Sequence, residues 1–461
     1  MAVRQIIIDS KAQVIVIGAG ACGLVAALRA HSCGAEVVVL ERDSSPTGST
    51  SLSSGFVPAA GTRFQRQAGV HADSPEEFKK DIYAKSHGHS LKSHTALACE
   101  NIAQALEWLS DEHAVPWIVL DDFLYPGHRY HRMHAVPEKT GEALQGRLMS
   151  AVERQGIPVA TESTVTNVFA HTESVTGVNV VRPDGSSESI ACDVLVLACN
   201  GFGGNQNMVK QHIPEISDGQ YFGHPGNTGE ALVWGEQFGA QMAHLSAYQG
   251  HGSVAHPHGI LITWALMMEG GIQVNVKGER FSNEHGGYSE QAVNVLAQPE
   301  KIAWCIYDER IHRFAGSFPD YQQACSVGAI KTAATVEDLA AATELPAASL
   351  ANTLRSIEQY RQDKARDPSG RTFASNQALA PPWYAVKVTG ALFHTQGGLV
   401  IDSQCRVIKK DGSVVSNLLA GGGAACGVSG PDVSGYLSGN GLLTAIAYGF
   451  IAGESAARIA V

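Results

Sequence analysis

The sequence predicts an α/β fold in which a parallel-sheet domain is split by an inserted α+β domain. Three observations carry this. Residues Gln13 to Ile17, QVIVI, form a continuous β-branched run of the kind found in strands buried on both faces, and the glycine turn GAGACG follows at once. Two later apolar runs also end in glycine turns, CDVLVLACNGFGGN at 192–205 and LLAGGGAACGVSG at 418–430. Between these last two lies a long segment with a helical stretch, Pro346 to Arg361, and the loop KARDPSGRTF. A chain of 461 residues is too long for one ordinary core. We therefore expect a first domain part over 1–244, an inserted domain over 245–390 and a second part of the first domain over 391–461.

The N-terminal elements follow in the order strand, turn, helix, strand, acid. LVAALRAHSCG reads as a helix, and AEVVVLE as a second buried strand ending at Glu41. In this Rossmann-like arrangement Gly18 permits the tight turn and Gly20 lets the backbone approach a pyrophosphate. Gly23 lets helix and strand pack closely. Ala21 opens the helix, whose N-terminal N–H groups and positive end favour phosphate. Glu41 is placed to accept hydrogen bonds from an adenosine ribose, which disfavours a 2′-phosphate. A bound dinucleotide is expected.

Composition excludes several classes. The net charge is −11 with no basic run, so nucleic acid and anionic membrane are poor partners. The nine cysteines show no C-x-x-C pair and several sit in apolar runs, as expected of reduced thiols in the cytoplasm. No run of about 18 uninterrupted apolar residues offers a membrane span, and the N-terminus lacks a signal-peptide layout.

After Glu41 and Arg42 comes a run of small residues, SSPTGSTSLSSG, containing Ser49, Thr50, Ser54 and Gly55. Such a run directly after the acidic strand resembles the fumarate reductase and succinate dehydrogenase flavoprotein superfamily. The resemblance implies FAD, with this run around its pyrophosphate and ring. It extends to Gly201 in the second glycine turn, to Gly422 in the third, and to Asn440 and Leu442 at the start of the last helix. Members that attach the flavin covalently carry a histidine at about the position of Ser49; serine implies non-covalent FAD. The chain departs from many relatives at Gly423, where they have a glutamate.

The resemblance covers nearly the whole chain, so the inserted segment can be compared as well. Gln249 and His251 match the glutamine and histidine of fumarate reductases, and His394 in HTQGG matches another substrate position. The glutamate and arginine that relay protons there are replaced by Trp264 and Met267. Eight residues beyond Arg280, where those reductases have the protonating arginine, stands Tyr288, and Tyr436 lies near the missing last arginine. A dicarboxylate site needs cationic clamps and a proton path, and here they are lost together.

What replaces them is similar to 3-ketosteroid dehydrogenases, above all the Δ4-(5α) branch, through RF-x-NE plus Tyr288 and the turn GYLSGNGL at 435–442. That likeness implies Tyr288 and Tyr436 as acid/base pair with Ser438 in support, and hydride transfer to flavin N5. A tyrosine hydroxyl, with an ordinary pKa of about 10, needs neighbouring donors to serve as a base. Backbone N–H groups around Gly439 offer an oxyanion hole. Gln249, His251, Trp264 and His394 would line the substrate site.

The expectation is an FAD-dependent dehydrogenase that introduces a C=C bond α,β to the carbonyl of a cyclic ketone or keto acid, with an external electron acceptor. The alternative is an enoate or enone reductase, favoured if Arg129 or Arg132 reached the flavin. A non-catalytic flavin subunit is a third class, but no iron–sulfur cysteine pattern is present. His128, His131 and His134 have the spacing of one helical face, yet Pro126 and Gly127 precede them, so local structure or cleft lining is the plainer reading; no metal is expected. The histidines of HPH, 256–258, read as a loop.

Overall fold

A computed structural model describes residues 8–121, 123–171, 173–373 and 378–460. The N-terminal apolar patch over 1–7 lies outside them. The chain forms two compact units. One comprises 1–212, 223–248 and 394–461; the other 213–222 and 249–393. The break points differ from the expected boundaries mainly at 213–222. This segment packs in the second unit because Gln220–Tyr221 adds a parallel strand to Trp383–Thr395, pairing with Ala391 and Leu392. No local pattern in so short a strand announces that partner.

In the first unit the β-branched runs do what their composition demands. Ser10–Ile17 lies between Val37–Leu40 and Ser187–Leu197, parallel to both, and Val414–Ala420 extends the sheet beyond Ser187–Leu197. The register sets Ile17 beside Leu40 and Leu197, so the strand ends and their glycine turns sit side by side. Two helices cover this sheet, Ala21–Ser32 and Asn440–Ala460. They meet through small residues: a Cβ on Gly449 would lie 2.5 Å from the Cys22 carbonyl oxygen, and one on Gly453 2.3 Å from that of Ala26.

The second unit is α+β. Its seven-stranded sheet centres on Tyr248–Ala255, Trp383–Thr395 and Ile302–Asp308, and helices including Tyr288–Leu296 and Ala347–Arg361 accompany it. Apolar clusters form around Trp264, Tyr307 and Val388, and around Trp304, Leu339 and Leu350.

Among the described residues, no helix is long and apolar enough to cross a membrane.

Candidate active site

The glycine turn forms a cradle that side chains would fill. Gly18 has φ +102°, and a Cβ there would lie 2.6 Å from the Ala198 carbonyl oxygen; a Cβ on Gly23 would lie 1.9 Å from that of Gly18. Gly20 ends in extended backbone just before the helix. Thr50 Oγ1 accepts from the Ala21 N–H at 3.0 Å. Glu41 accepts from the N–H of Ala19 (2.8 Å) and of Asp43 (3.0 Å), which leaves carboxylate lone pairs for a ribose. Arg42 instead reaches Glu230 and the Gly226 carbonyl, each at 2.7 Å.

The small-residue run is closed by contacts from segments distant in sequence. Ser49 Oγ accepts from Asn200 (3.1 Å) and Asn227 (2.9 Å). Gly55 abuts the Thr140 carbonyl, and Ser54 beside it is half-buried. Gly201 packs on Thr395, and Gly422 on Cys22. At Gly423 a Cβ would meet Asn200 Oδ1 at 2.1 Å, so a glutamate there does not fit this arrangement of Asn200.

The turn before the last helix holds Tyr436, Ser438 and Gly439, and the first turn of that helix holds Asn440 and Leu442, all in the same unit. Tyr436, Ser438 and Asn440 are buried, whereas Gly439 and Leu442 are partly open. Gly439 has φ +85°, and a Cβ would sit 2.5 Å from Pro58 Cδ. His394 packs against this turn: a Cβ on Gly441 would lie 2.6 Å from its Nε2, and its ring meets Tyr436 edge-on at 5.8 Å. Its Nδ1 is 3.0 Å from Gln396 Nε2. Gln396 Oε1 accepts from Ser429 Oγ (2.7 Å), which in turn accepts from Asn440 Nδ2 (3.0 Å). Burial pulls His394 down to about 4, against the Thr395 carbonyl beside it, so the ring is neutral.

The second unit gathers Gln249, His251, Trp264 and Tyr288. Gln249 is half-buried on the strand Tyr248–Ala255. His251 lies stacked on Tyr288 (4.8 Å) and on Phe393 (5.3 Å), with Trp264 edge-on at 5.7 Å. Phe222 stacks on Phe393 at 4.8 Å. His251 Nδ1 accepts from the Ser253 N–H at 3.2 Å, which puts the ring proton on Nε2. Burial lowers its pKa to about 3. Tyr288 is the first residue of its helix, after Gly287 at φ 141°. The loop before it is anchored by Glu284, fully buried, which binds Arg280 (2.6 Å) and Arg371 (3.0 Å). Burial alone would raise the Glu284 carboxyl, but these guanidiniums hold it below its ordinary value.

Four arginines, Arg129, Arg132, Arg280 and Arg371, are all engaged. Arg132 binds Asp73 and Asp81, Arg129 binds Asp81 and Glu77, and Arg280 also binds Asp367. Arg371 adds the Gly271 carbonyl to its Glu284 contact.

The three spaced histidines do not share a helical face. His128 lies in a turn, and His134 on the short strand Met133–Ala135 contacts Thr62 and the Arg132 carbonyl, each at 2.7 Å. Among the described residues no group of three or more His, Cys, Asp or Glu is placed to hold a metal. Sequence reasoning missed Asn200, Asn227, Gln396 and Ser429. Gln396, Asn200 and Ser429 were in view within HTQGG and the two later glycine turns, whereas Asn227 carries no local signal.

FAD fits the residues present. The glycine cradle admits a pyrophosphate, and Asn440 Oδ1, fully buried, has no partner among the described residues. Fold and residues together define an FAD-binding flavoprotein. The chain belongs to the FAD binding domain family, whose model matches residues 13–442. It is 28% identical over 454 residues to an NADH:fumarate oxidoreductase of Klebsiella pneumoniae (strain 342), covering 96% of this chain and 47% of that protein. The chain thus spans about half the length of that relative. It is 29% identical over 455 residues to a probable fumarate reductase Ifc3 of Shewanella frigidimarina (strain NCIMB 400), covering 97% of this chain and 75% of the relative. A solved 3-ketosteroid-Δ4-(5α)-dehydrogenase from Rhodococcus jostii RHA1 superposes with a TM-score of 0.77 at 25% identity, covering 98% of both chains.

Proposed function

We propose that the protein is an FAD-dependent dehydrogenase that forms a C=C bond α,β to the carbonyl of a cyclic ketone, a 3-ketosteroid or a smaller oxocyclohexane compound. One observation carries the reading. The rings packed on Tyr288 are those of Trp264 and of a neutral His251, and Arg129, Arg132, Arg280 and Arg371 are each occupied by carboxylates. An apolar ring suits such surroundings better than a dicarboxylate.

In this reading Tyr288 and Tyr436 are the acid/base pair, Ser438 supports them, and one tyrosine oxygen, its own proton passed on to solvent, takes the proton from the carbon next to the carbonyl. The Gly439 N–H binds the carbonyl oxygen as negative charge builds on it. Gln249, His251, Trp264 and His394 bind and orient the ring and exclude water. His251 offers an Nε2–H donor and no charge. Bound FAD supplies the acceptor for the hydride that leaves the neighbouring carbon. Ser49 makes its attachment non-covalent. The reading includes a cytoplasmic enzyme that hands electrons to an external acceptor.

The test is anaerobic loss of the oxidised flavin absorbance on adding saturated cyclic ketones, with and without carboxylates, in wild type and Tyr288→Phe. Rapid loss in wild type alone supports the reading. The names of the fumarate reductase relatives favour a second one, reduction of an enoate or enone. It takes over if no ketone reduces the flavin but enones or enoates reoxidise the chemically reduced protein.

A further inference from the structure

A line of buried polar groups outside the residues assigned above ends on the turn that holds Ser438 and Gly439. It begins at Arg132, only 1% exposed. Its Nε and Nη2 lie 2.8 and 2.7 Å from the two oxygens of Asp73, and its Nη1 is 2.5 Å from Asp81. The same Nη1 is 3.4 Å from His128 Nδ1. A guanidinium only donates, so His128 Nδ1 accepts and the ring proton sits on Nε2. That Nε2 lies 2.9 Å from the Ser438 carbonyl oxygen, 310 residues away in sequence. Phe78 packs against the imidazole at 5.9 Å and also under the Arg132 guanidinium at 4.7 Å.

The consequence lies in the peptide between Ser438 and Gly439. A trans peptide is planar, so its N–H points opposite to its C=O. Whatever holds the Ser438 carbonyl also sets the direction of the Gly439 N–H. Glycine at φ +85° has little of its own to resist reorientation. A tether is therefore needed, and His128 is one. Burial and the Arg132 charge hold the imidazole down to about 4, so the tether keeps one form at neutral pH.

We propose that His128 is a positioning residue: through its Nε2–H bond to the Ser438 carbonyl it aims the Gly439 N–H at the oxyanion of the reacting substrate. This rests on the dehydrogenase reading. Arg132, locked by Asp73 and Asp81, fixes the tautomer that makes the bond.

The test uses the FAD-loaded enzyme and binding alone. 4-Nitrophenolate imitates the enolate, and nitrobenzene is a neutral ligand of similar size. Wild type should favour the phenolate. His128→Phe and His128→Asn, which remove or shorten the donor, should lose about tenfold or more of that preference, with nitrobenzene affinity and the flavin spectrum unchanged. His128→Gln, whose amide N–H reaches the place of Nε2, should recover most of it. Should His128→Phe fail to retain FAD, His128→Asn decides. An unchanged preference in the donor-less variant overturns the role of His128 and leaves the dehydrogenase reading standing. A wild type with no preference overturns the oxyanion hole itself, and the positioning role with it.

Discussion

The imidazole of His251 lies nearly flat against the ring of Tyr288, with centroids 4.8 Å apart and planes 25° apart. Phe393 also stacks on the imidazole, with centroids 5.3 Å apart. The stack holds Tyr288 by its ring, which phenylalanine keeps. Tyr288→Phe should keep its FAD and its melting temperature. Its ketone-driven flavin reduction, followed by stopped-flow absorbance, should slow by about 10²–10⁴, the usual worth of a positioned acid or base.

Stability should depend on pH through buried histidines. Burial is the largest cause holding His94, His128, His134 and His394 down to about 4 and His251 to about 3, against 6.5 when free. Below pH 6.5 the unfolded chain binds protons that the folded chain refuses. Stability must therefore fall as pH drops from about 6.5 towards 4, and rise in the other direction. Urea unfolding at stepped pH values should show this slope. His134→Asn should make it shallower by up to one proton.

Glu284 neutralises two guanidiniums in the interior, those of Arg280 and Arg371. Glu284→Ala leaves both without that partner and should cost about 3–5 kcal/mol in urea unfolding. Glu284→Gln keeps the shape but not the charge, and should fall between the variant and wild type.

Ser49 should hold FAD by contacts alone. Precipitation with acid should release all of the flavin into the supernatant; colour retained in the pellet would contradict non-covalent binding. Ser49→Ala removes the acceptor shared by Asn200 and Asn227. Two hydrogen bonds, each worth about 0.5–1.5 kcal/mol, are lost from the loop around Ser49, so FAD should be held about tenfold more weakly, measured by fluorescence on dilution.

The glycine turn and its flanking elements were legible because their physics is local. Continuous β-branched runs demand a doubly covered strand, and Gly18 and Gly23 have no room for a Cβ. The helix Ala347–Arg361 begins at the proline that marks its start. The sequence also placed Tyr288 at a distinctive spacing from Arg280. It could not show that Arg129 and Arg132 are spent on Asp73, Asp81 and Glu77, because an arginine's partner is chosen by packing and not by its neighbours in the chain. Nor could it assign Gln220–Tyr221 to the second sheet, since two residues carry no period. Spacing suggested a helical face for His128 and His134, while the structure binds one to Ser438 and the other to Thr62. Backbone conformation and composition follow from near neighbours along the chain. Charge state, tautomer and hydrogen-bond partner depend on groups up to 425 residues away, and only the tertiary structure brings those together.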